Sequence, residues 1–160
     1  LIEICGGDVT FSELKKKIYI SSFNVNLGKT IYFSRDTHPN MSVIDAVCMS
    51  ISVPFLFSSF KFENNIYVDG GTMETYPAIP FLDKPRENVM VIRIVSDLET
   101  PKISSLKEFV GSLINSTLRN RQDYDGMFSM VSIDTSKVNI FDFNMSDDEK
   151  LKLFLHSYNK

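Results

Sequence analysis

The sequence predicts a mixed α/β domain, and three observations carry that expectation. Val89–Val95 (VMVIRIV) is a near-continuous apolar run, the pattern of a strand buried on both faces of a parallel sheet. Leu106, Phe109, Val110, Leu113, Ile114 and Leu118 recur at helical spacing, which predicts a helix from Ser104 to about Tyr124. Short β-branched and aromatic runs alternate with capped helix starts along the rest of the chain, as layered α/β domains require. The 160 residues suffice for one domain with a core, and no repeat or low-complexity linker divides them.

Taken in order, Thr10-Phe11-Ser12-Glu13 reads as a capping box opening a helix from Phe11 to about Lys17. Ile18–Val25 and Lys29–Ser34 read as strands joined through the Asn26-Leu27-Gly28 turn. Arg35–Asn40 is a polar loop holding His38 and Pro39. Ser42 opens a second helix, which Pro54 ends or kinks. Ser59–Phe62 and Ile66–Val68 are short strands about Asn64-Asn65, a pair that tolerates the positive φ of a tight hairpin. A helical turn is expected through Phe81, strands at Val131–Ile133 and Val138–Phe141, and a closing helix from the capping box Ser146–Glu149 through His156.

Composition removes several functional classes. Charged residues make up 23% and the net charge is −3, so nothing favours a nucleic-acid backbone, and no nucleic-acid partner is expected. The apolar share of 43% is ordinary, and no stretch approaches the length of a membrane span. Cys5 and Cys48 make neither a disulfide framework nor a metal site, which fits a reducing, intracellular setting. Leu1-Ile2-Glu3-Ile4 reads like the interior of a longer protein, so a fragment or processed product is expected.

Chemistry concentrates between Met41 and Pro80. Val68-Asp69-Gly70-Gly71 places a carboxylate at the carboxyl end of a strand, where open α/β sheets bind ligands. The two glycines lack a Cβ and permit a sharp turn with close approach beside the acid. That suits a base that must come within about 2.6–3.2 Å of the proton it accepts. Asp-Gly is also a common turn pair, so the tripeptide alone has a purely structural reading.

Its surroundings add more. Ser50 and Pro54 with Phe57 three residues on, then Tyr67-Val68-Asp69-Gly70-Gly71, then Pro77, resemble the second half of the patatin-like phospholipases. In that family a Ser-x-x-x-Pro-x-x-Phe stretch precedes a hairpin, a Tyr-Val-Asp-Gly-Gly signature and Asn-x-Pro. Thr10-Phe11-Ser12-Glu13-Leu14, Phe33-Ser34 with Pro39, and Ile140-Phe141-Asp142-Phe143 before the Ser146–Glu149 cap extend the resemblance over nearly the whole chain. Thr75 stands where the family has asparagine, and Cys48-Met49 where it is alanine-rich.

The resemblance implies a three-layer patatin-like fold with a mainly parallel sheet, of which residues 1–160 are the C-terminal part of a single domain, incomplete on the N-terminal side. It implies hydrolysis of lipid or phospholipid acyl esters by a Ser–Asp dyad, with Asp69 as proton acceptor and Gly70 and Gly71 as its motif and turn. It implies no metal or organic cofactor. The family's Gly-x-Ser-x-Gly elbow and oxyanion loop lie upstream of the aspartate and do not occur between Leu1 and Lys160. The N-terminal half of the domain is therefore a required partner, and the chain alone is expected to be inactive. Transient contact with a membrane surface is expected of a soluble or peripheral protein of this kind.

Lesser candidates keep two readings each. Phe55 and Phe57, with Leu56, either line an acyl pocket or pack in the core. Glu74 either shares acid–base work with Asp69 or faces solvent, the latter being favoured. His38 is read as a solvated loop residue and Ser50 as a helix-end residue, while Lys15-Lys16-Lys17 either meets anionic lipid or is a solvated cluster. Against the enzyme stands a non-catalytic patatin-like scaffold that binds lipid or protein, motivated by Thr75 and the missing elbow.

Overall fold

The computed structural model describes residues 7–74, 76–95, 103–118, 126–135 and 144–158. In chain order the elements are strands β1 (Ile20–Asn24) and β2 (Lys29–Phe33), helix α1 (Val43–Ser50), strands β3 (Phe60–Phe62), β4 (Asn65–Asp69) and β5 (Met90–Val95), helix α2 (Leu106–Leu118), strand β6 (Ser129–Asp134) and helix α3 (Asp147–Tyr158). They fall into two compact units, Leu1–Pro80 with Ile103–Asp123, and Phe81–Lys102 with Tyr124–Lys160.

The first unit is built on a four-stranded sheet in the order β2-β1-β4-β3, antiparallel at every pairing. This corrects the expectation of a mainly parallel sheet. Each neighbour pair other than β1–β4 is a hairpin, and a hairpin can close only antiparallel. In the first hairpin Gly28 takes φ 63°, and the Asn24 Oδ1 accepts from the Leu27 N–H at 2.9 Å. In the second, the positive φ falls on Glu63 (47°) and Asn64 (62°), one residue earlier than Asn64-Asn65. Phe62 and Asn65 are the cross-strand pair that flanks the turn, and the Asn65 side chain donates to the Glu63 carbonyl. Two left-handed residues in a two-residue loop match the twist of the strands they join.

Helix α1 begins where the sequence places it. The Ser42 hydroxyl accepts from the Asp45 N–H at 3.2 Å and donates to Asp8. The helix buries Val43, Ala46 and Met49 against Phe11, Phe33, Met41 and Tyr67, which form the core of the unit. Aromatic rings tile the sheet side of that core, Phe33 lying 5.6 Å from Tyr67 and 6.4 Å from Phe62 between centroids. The Thr10–Glu13 cap is present, Glu13 accepting from the Thr10 N–H and hydroxyl at 2.7 Å, but it opens only a single 3-10 turn, Phe11–Glu13. The helix expected to reach Lys17 stops there because the backbone turns extended at Leu14 (φ −70°, ψ 134°), whose carbonyl accepts from the Arg35 guanidinium instead of from a helical amide. Lys17 pairs with Asp36 and lies over the Tyr19 ring. In α2 the apolar stripe forms the helix, yet Leu106, Phe109 and Leu113 are exposed.

The second unit pairs β5 with β6 in parallel register, Met90 opposite Ser129 through Val95 opposite Asp134. The parallel strand at Val89–Val95 is therefore present, but it is not buried on both faces. Met90, Ile92 and Ile94 are all more than half exposed, while Val91, Arg93 and Val95 are half-buried. A side chain on a strand alternates faces, so continuous hydrophobicity does not by itself secure cover for both. Helix α3 carries its cap as expected, Glu149 accepting from the Ser146 N–H at 2.8 Å and from its hydroxyl at 2.6 Å. The expected strand Val138–Phe141 and the far end of the 104–124 helix lie outside the described residues. Among the described residues no helix is long and apolar enough to cross a membrane.

Candidate active site

The site residues assemble at the end of β4, and small side chains on β1 make room for them. Ser22 is the cross-strand partner of Asp69, and Ser21 and Ser22 are both buried. The Ser22 hydroxyl donates to the Val68 carbonyl at 2.6 Å, with the Met49 carbonyl 3.3 Å away, which ties the strand end to the last turn of α1. A Cβ on Gly70 would stand 2.7 Å from both the carbonyl oxygen and the hydroxyl of Ser21, closer than any side chain tolerates. Glycine at 70 is thus required by the approach of β1.

Asp69 ends the strand and caps the 3-10 turn Gly70–Thr72. Its Oδ1 accepts from the Gly71 N–H at 2.6 Å, and among the described residues Oδ2 receives no hydrogen bond. A Cβ on Gly71 would lie 2.9 Å from that same Oδ1, so the second glycine clears the space the carboxylate occupies. The Asp69 N–H donates to the Ser52 carbonyl at 2.9 Å, and the buried Ser52 hydroxyl donates back to the Cys48 carbonyl at 2.6 Å. The loop after α1 and the end of β4 are therefore stitched together by backbone, which is why the Ser50–Phe57 stretch and Asp69 belong to one site.

Burial pushes the Asp69 carboxyl above its ordinary value, and the Gly71 N–H, favouring the charged form, offsets part of that rise. A carboxylate so placed is a stronger base than a solvated one, with one oxygen anchored and the other able to take a proton.

Other candidates are placed as follows. Glu74 does not face solvent: it is 2% exposed, and among the described residues its Oε1 has no hydrogen-bond partner. The Glu74 N–H bonds to the Gly70 carbonyl at 3.1 Å, and that turn carries the side chain inward. Phe55, Leu56 and Phe57 are all exposed. His38 is half-buried, its ring edge-on to Phe33 at 4.8 Å, so it is a packing residue at the core margin and not a solvated one. Ser50 is the last residue of α1, and Cys48 is a free, half-buried thiol. Thr75 and Cys5 lie outside the described residues. Among the described residues no group of three or more His, Cys, Asp or Glu could hold a metal ion. The supporting roles of Ser21, Ser22 and Ser52 escaped the sequence reading. The available signal was a pair of small polar residues in a strand otherwise made of bulky ones.

Residues 6–82 match the model of a family described as patatin-like phospholipase. The chain is 27% identical over 136 residues to the "Probable lipid hydrolase 463L" of Invertebrate iridescent virus 6, covering 82% of this chain and 47% of that protein. It is 32% identical over 159 residues to the "Uncharacterized protein R571" of Acanthamoeba polyphaga mimivirus, covering 91% of this chain and 53% of that one. The chain thus spans about half the length of the curated relatives it matches. The matched segment holds the whole arrangement from Ser21 to Pro77, so the candidate site lies within the stretch that is similar to the patatin-like phospholipase family.

Proposed function

We propose that the chain is the Asp-bearing part of a lipid acyl hydrolase, and that Asp69 is the proton acceptor of a Ser–Asp dyad whose serine lies outside these 160 residues. The observation that carries this is Asp69 itself: a strand-end carboxylate, partly desolvated, with Oδ1 held by Gly71 and Oδ2 left unbonded among the described residues. The family match and the lipid-hydrolase name of the iridescent-virus relative support the substrate class.

In the reaction we propose, the serine hydroxyl gives its proton to Asp69 Oδ2 as its oxygen attacks the acyl carbonyl. Backbone amides of the other part of the domain hold the oxyanion. The leaving alkoxide takes the proton back from Asp69, and an acyl-serine remains. Water then attacks the acyl-serine, losing its proton to Asp69, and the departing serine oxygen takes that proton back as the fatty acid leaves. Gly71 holds the carboxylate in one orientation throughout, and Gly70 lets β1 press close beneath it. No step requires a metal or an organic cofactor. In the complete protein these elements form the C-terminal part of a single three-layer domain, acting on lipid at a membrane surface that it visits transiently.

The test is Asp69→Asn in the full-length protein, with hydrolysis of a phospholipid and of a neutral acyl ester read beside thermal unfolding. Loss of a general base should lower turnover by about 10²–10⁴-fold with folding retained. Wild-type turnover would reduce Asp69 to a turn residue. A full-length protein with neither turnover nor a Gly-x-Ser-x-Gly would instead be a lipid- or protein-binding scaffold, the reading that Thr75 in place of asparagine favours.

A further inference from the structure

Val68 and Asp69 share one peptide group, and both of its polar ends are held from outside the strand. The Val68 carbonyl accepts from the Ser22 hydroxyl at 2.6 Å, and the Asp69 N–H donates to the Ser52 carbonyl at 2.9 Å. A peptide group is planar. Fixing its two ends fixes the rotation of the plane, and with it the direction in which the Asp69 side chain leaves the backbone. The two holders are themselves joined. The Ser52 N–H donates to the Met49 carbonyl at 3.3 Å, and the Ser22 hydroxyl lies 3.3 Å from that same oxygen. The last turn of α1, the strand β1 and the end of β4 thus meet around a single plane.

Ser22 is the part of this clamp that a side chain supplies. It is 0% exposed, on a strand flanked by β2 and β4, opposite Ile31 on one side and Asp69 on the other. A hydroxyl buried there carries a desolvation cost that alanine would avoid. Cross-strand partners present their side chains to the same face, so Ser22 is the β1 residue beside the Asp69 side chain. A hydroxyl has one proton, and the short bond of Ser22 directs it to the Val68 carbonyl rather than to the carboxylate. The hydrogen bond that lowers the proton affinity of Asp69 comes from Gly71 instead. Ser22 therefore governs where the carboxylate stands and leaves its base strength to burial and Gly71.

We propose that Ser22 is a positioning residue for Asp69: with Ser52 it clamps the 68–69 peptide group and so aims the free carboxylate oxygen at the serine of the dyad. The effect on turnover rests on the Ser–Asp hydrolase reading; the clamp does not.

The test compares Ser22→Ala with Ser34→Ala in the full-length protein. Ser34 is an equally buried serine of the same unit whose hydroxyl contacts, to Thr37 and the Asp36 N–H, lie within its own turn. Ser22→Ala should lower kcat for an acyl ester by about 10–10²-fold with KM nearly unchanged, the loss that a small misplacement of a reacting group brings. The rising limb of its pH–rate profile should stay at the wild-type position, because burial and the Gly71 bond are untouched. Ser34→Ala should keep wild-type kcat. Amide hydrogen exchange gives a readout that needs no turnover: in Ser22→Ala the Asp69 and Gly71 amides should exchange at least about tenfold faster, while the Ala46 amide in α1 stays protected. Ser22→Cys, similar in shape but a weak donor, should behave as Ser22→Ala does and decides the outcome if the alanine variant does not fold. Wild-type kcat in the Ser22 variants, an equal fall in Ser34→Ala, or a displaced pH limb with the plateau kept overturns the proposal. So does unaltered exchange at both amides. A wild-type protein that cleaves no acyl ester, with faster Asp69 and Gly71 exchange on loss of the Ser22 hydroxyl, upholds the clamp and rejects the hydrolase reading.

Discussion

Two effects oppose each other at Asp69, burial raising its proton affinity and the Gly71 N–H lowering it, with burial the larger. Between the ordinary carboxylate range and the raised folded value, the folded chain binds more protons than the unfolded one. The contribution of Asp69 to stability is therefore full in acid and is lost as pH rises through the folded value. Asp69→Asn removes a charge that burial disfavours at neutral pH, while an Asn oxygen can still accept from Gly71. Its thermal midpoint should equal or exceed that of wild type at pH 7, the advantage shrinking as pH falls; unfolding at a series of pH values checks this. Wild-type hydrolysis should run the other way, rising with pH as Asp69 ionises. The glycines separate fold from chemistry. Gly70→Ala drives a Cβ into the Ser21 backbone and should cost about 1–3 kcal/mol in urea unfolding. Gly71→Ala meets only the Asp69 carboxylate, so it should lower turnover well beyond any change in stability. Equal behaviour of the two variants would contradict this division.

Each element shows where local pattern is sufficient and where it is not. The caps at Ser42 and Ser146 are local chemistry, satisfied within three residues, and both helices begin where those residues stand. The Thr10–Glu13 cap is present too, yet its helix ends after one turn because Leu14 turns extended and gives its carbonyl to the distant Arg35. In the β3–β4 hairpin Glu63 sits at φ 47°, a position where asparagine or glycine is less strained. Glu63→Asn with Asn64→Gly should raise stability by about 0.5–1 kcal/mol. A lower denaturation midpoint for the pair would mean that those side chains make contacts worth more than the strain they carry.

At the scale of the whole molecule, the chain covers 47% and 53% of its two relatives, and its 160 residues contain no Gly-x-Ser-x-Gly. We expect the purified chain to turn over a short-chain acyl ester no faster than a mock preparation, because removing nucleophile and oxyanion donors eliminates most of the rate. Met90, Ile92 and Ile94 leave an apolar strand face exposed, as do Leu106, Phe109 and Leu113 on α2. The isolated chain should therefore self-associate as its concentration rises, which light scattering reads directly. A monodisperse, monomeric chain at high concentration would show that these faces are not adhesive.

Read alone, the sequence determined what depends on neighbours a few residues apart. It located α1 and α3 through their caps, the strand ending at Asp69, the strand at Val89–Val95, and the carboxylate with its two glycines. Tertiary structure decided everything that depends on which strand lies beside which. It made the larger sheet antiparallel, exposed one face of β5, turned Glu74 inward and moved the positive φ to Glu63 and Asn64. It also supplied the reason for Gly70, since the Ser21 backbone that excludes a Cβ comes from a strand nearly fifty residues earlier. Helical and strand periods encode the direction in which a side chain leaves the backbone. They carry no record of what stands opposite, and burial, proton affinity and close approach are all properties of that opposing surface.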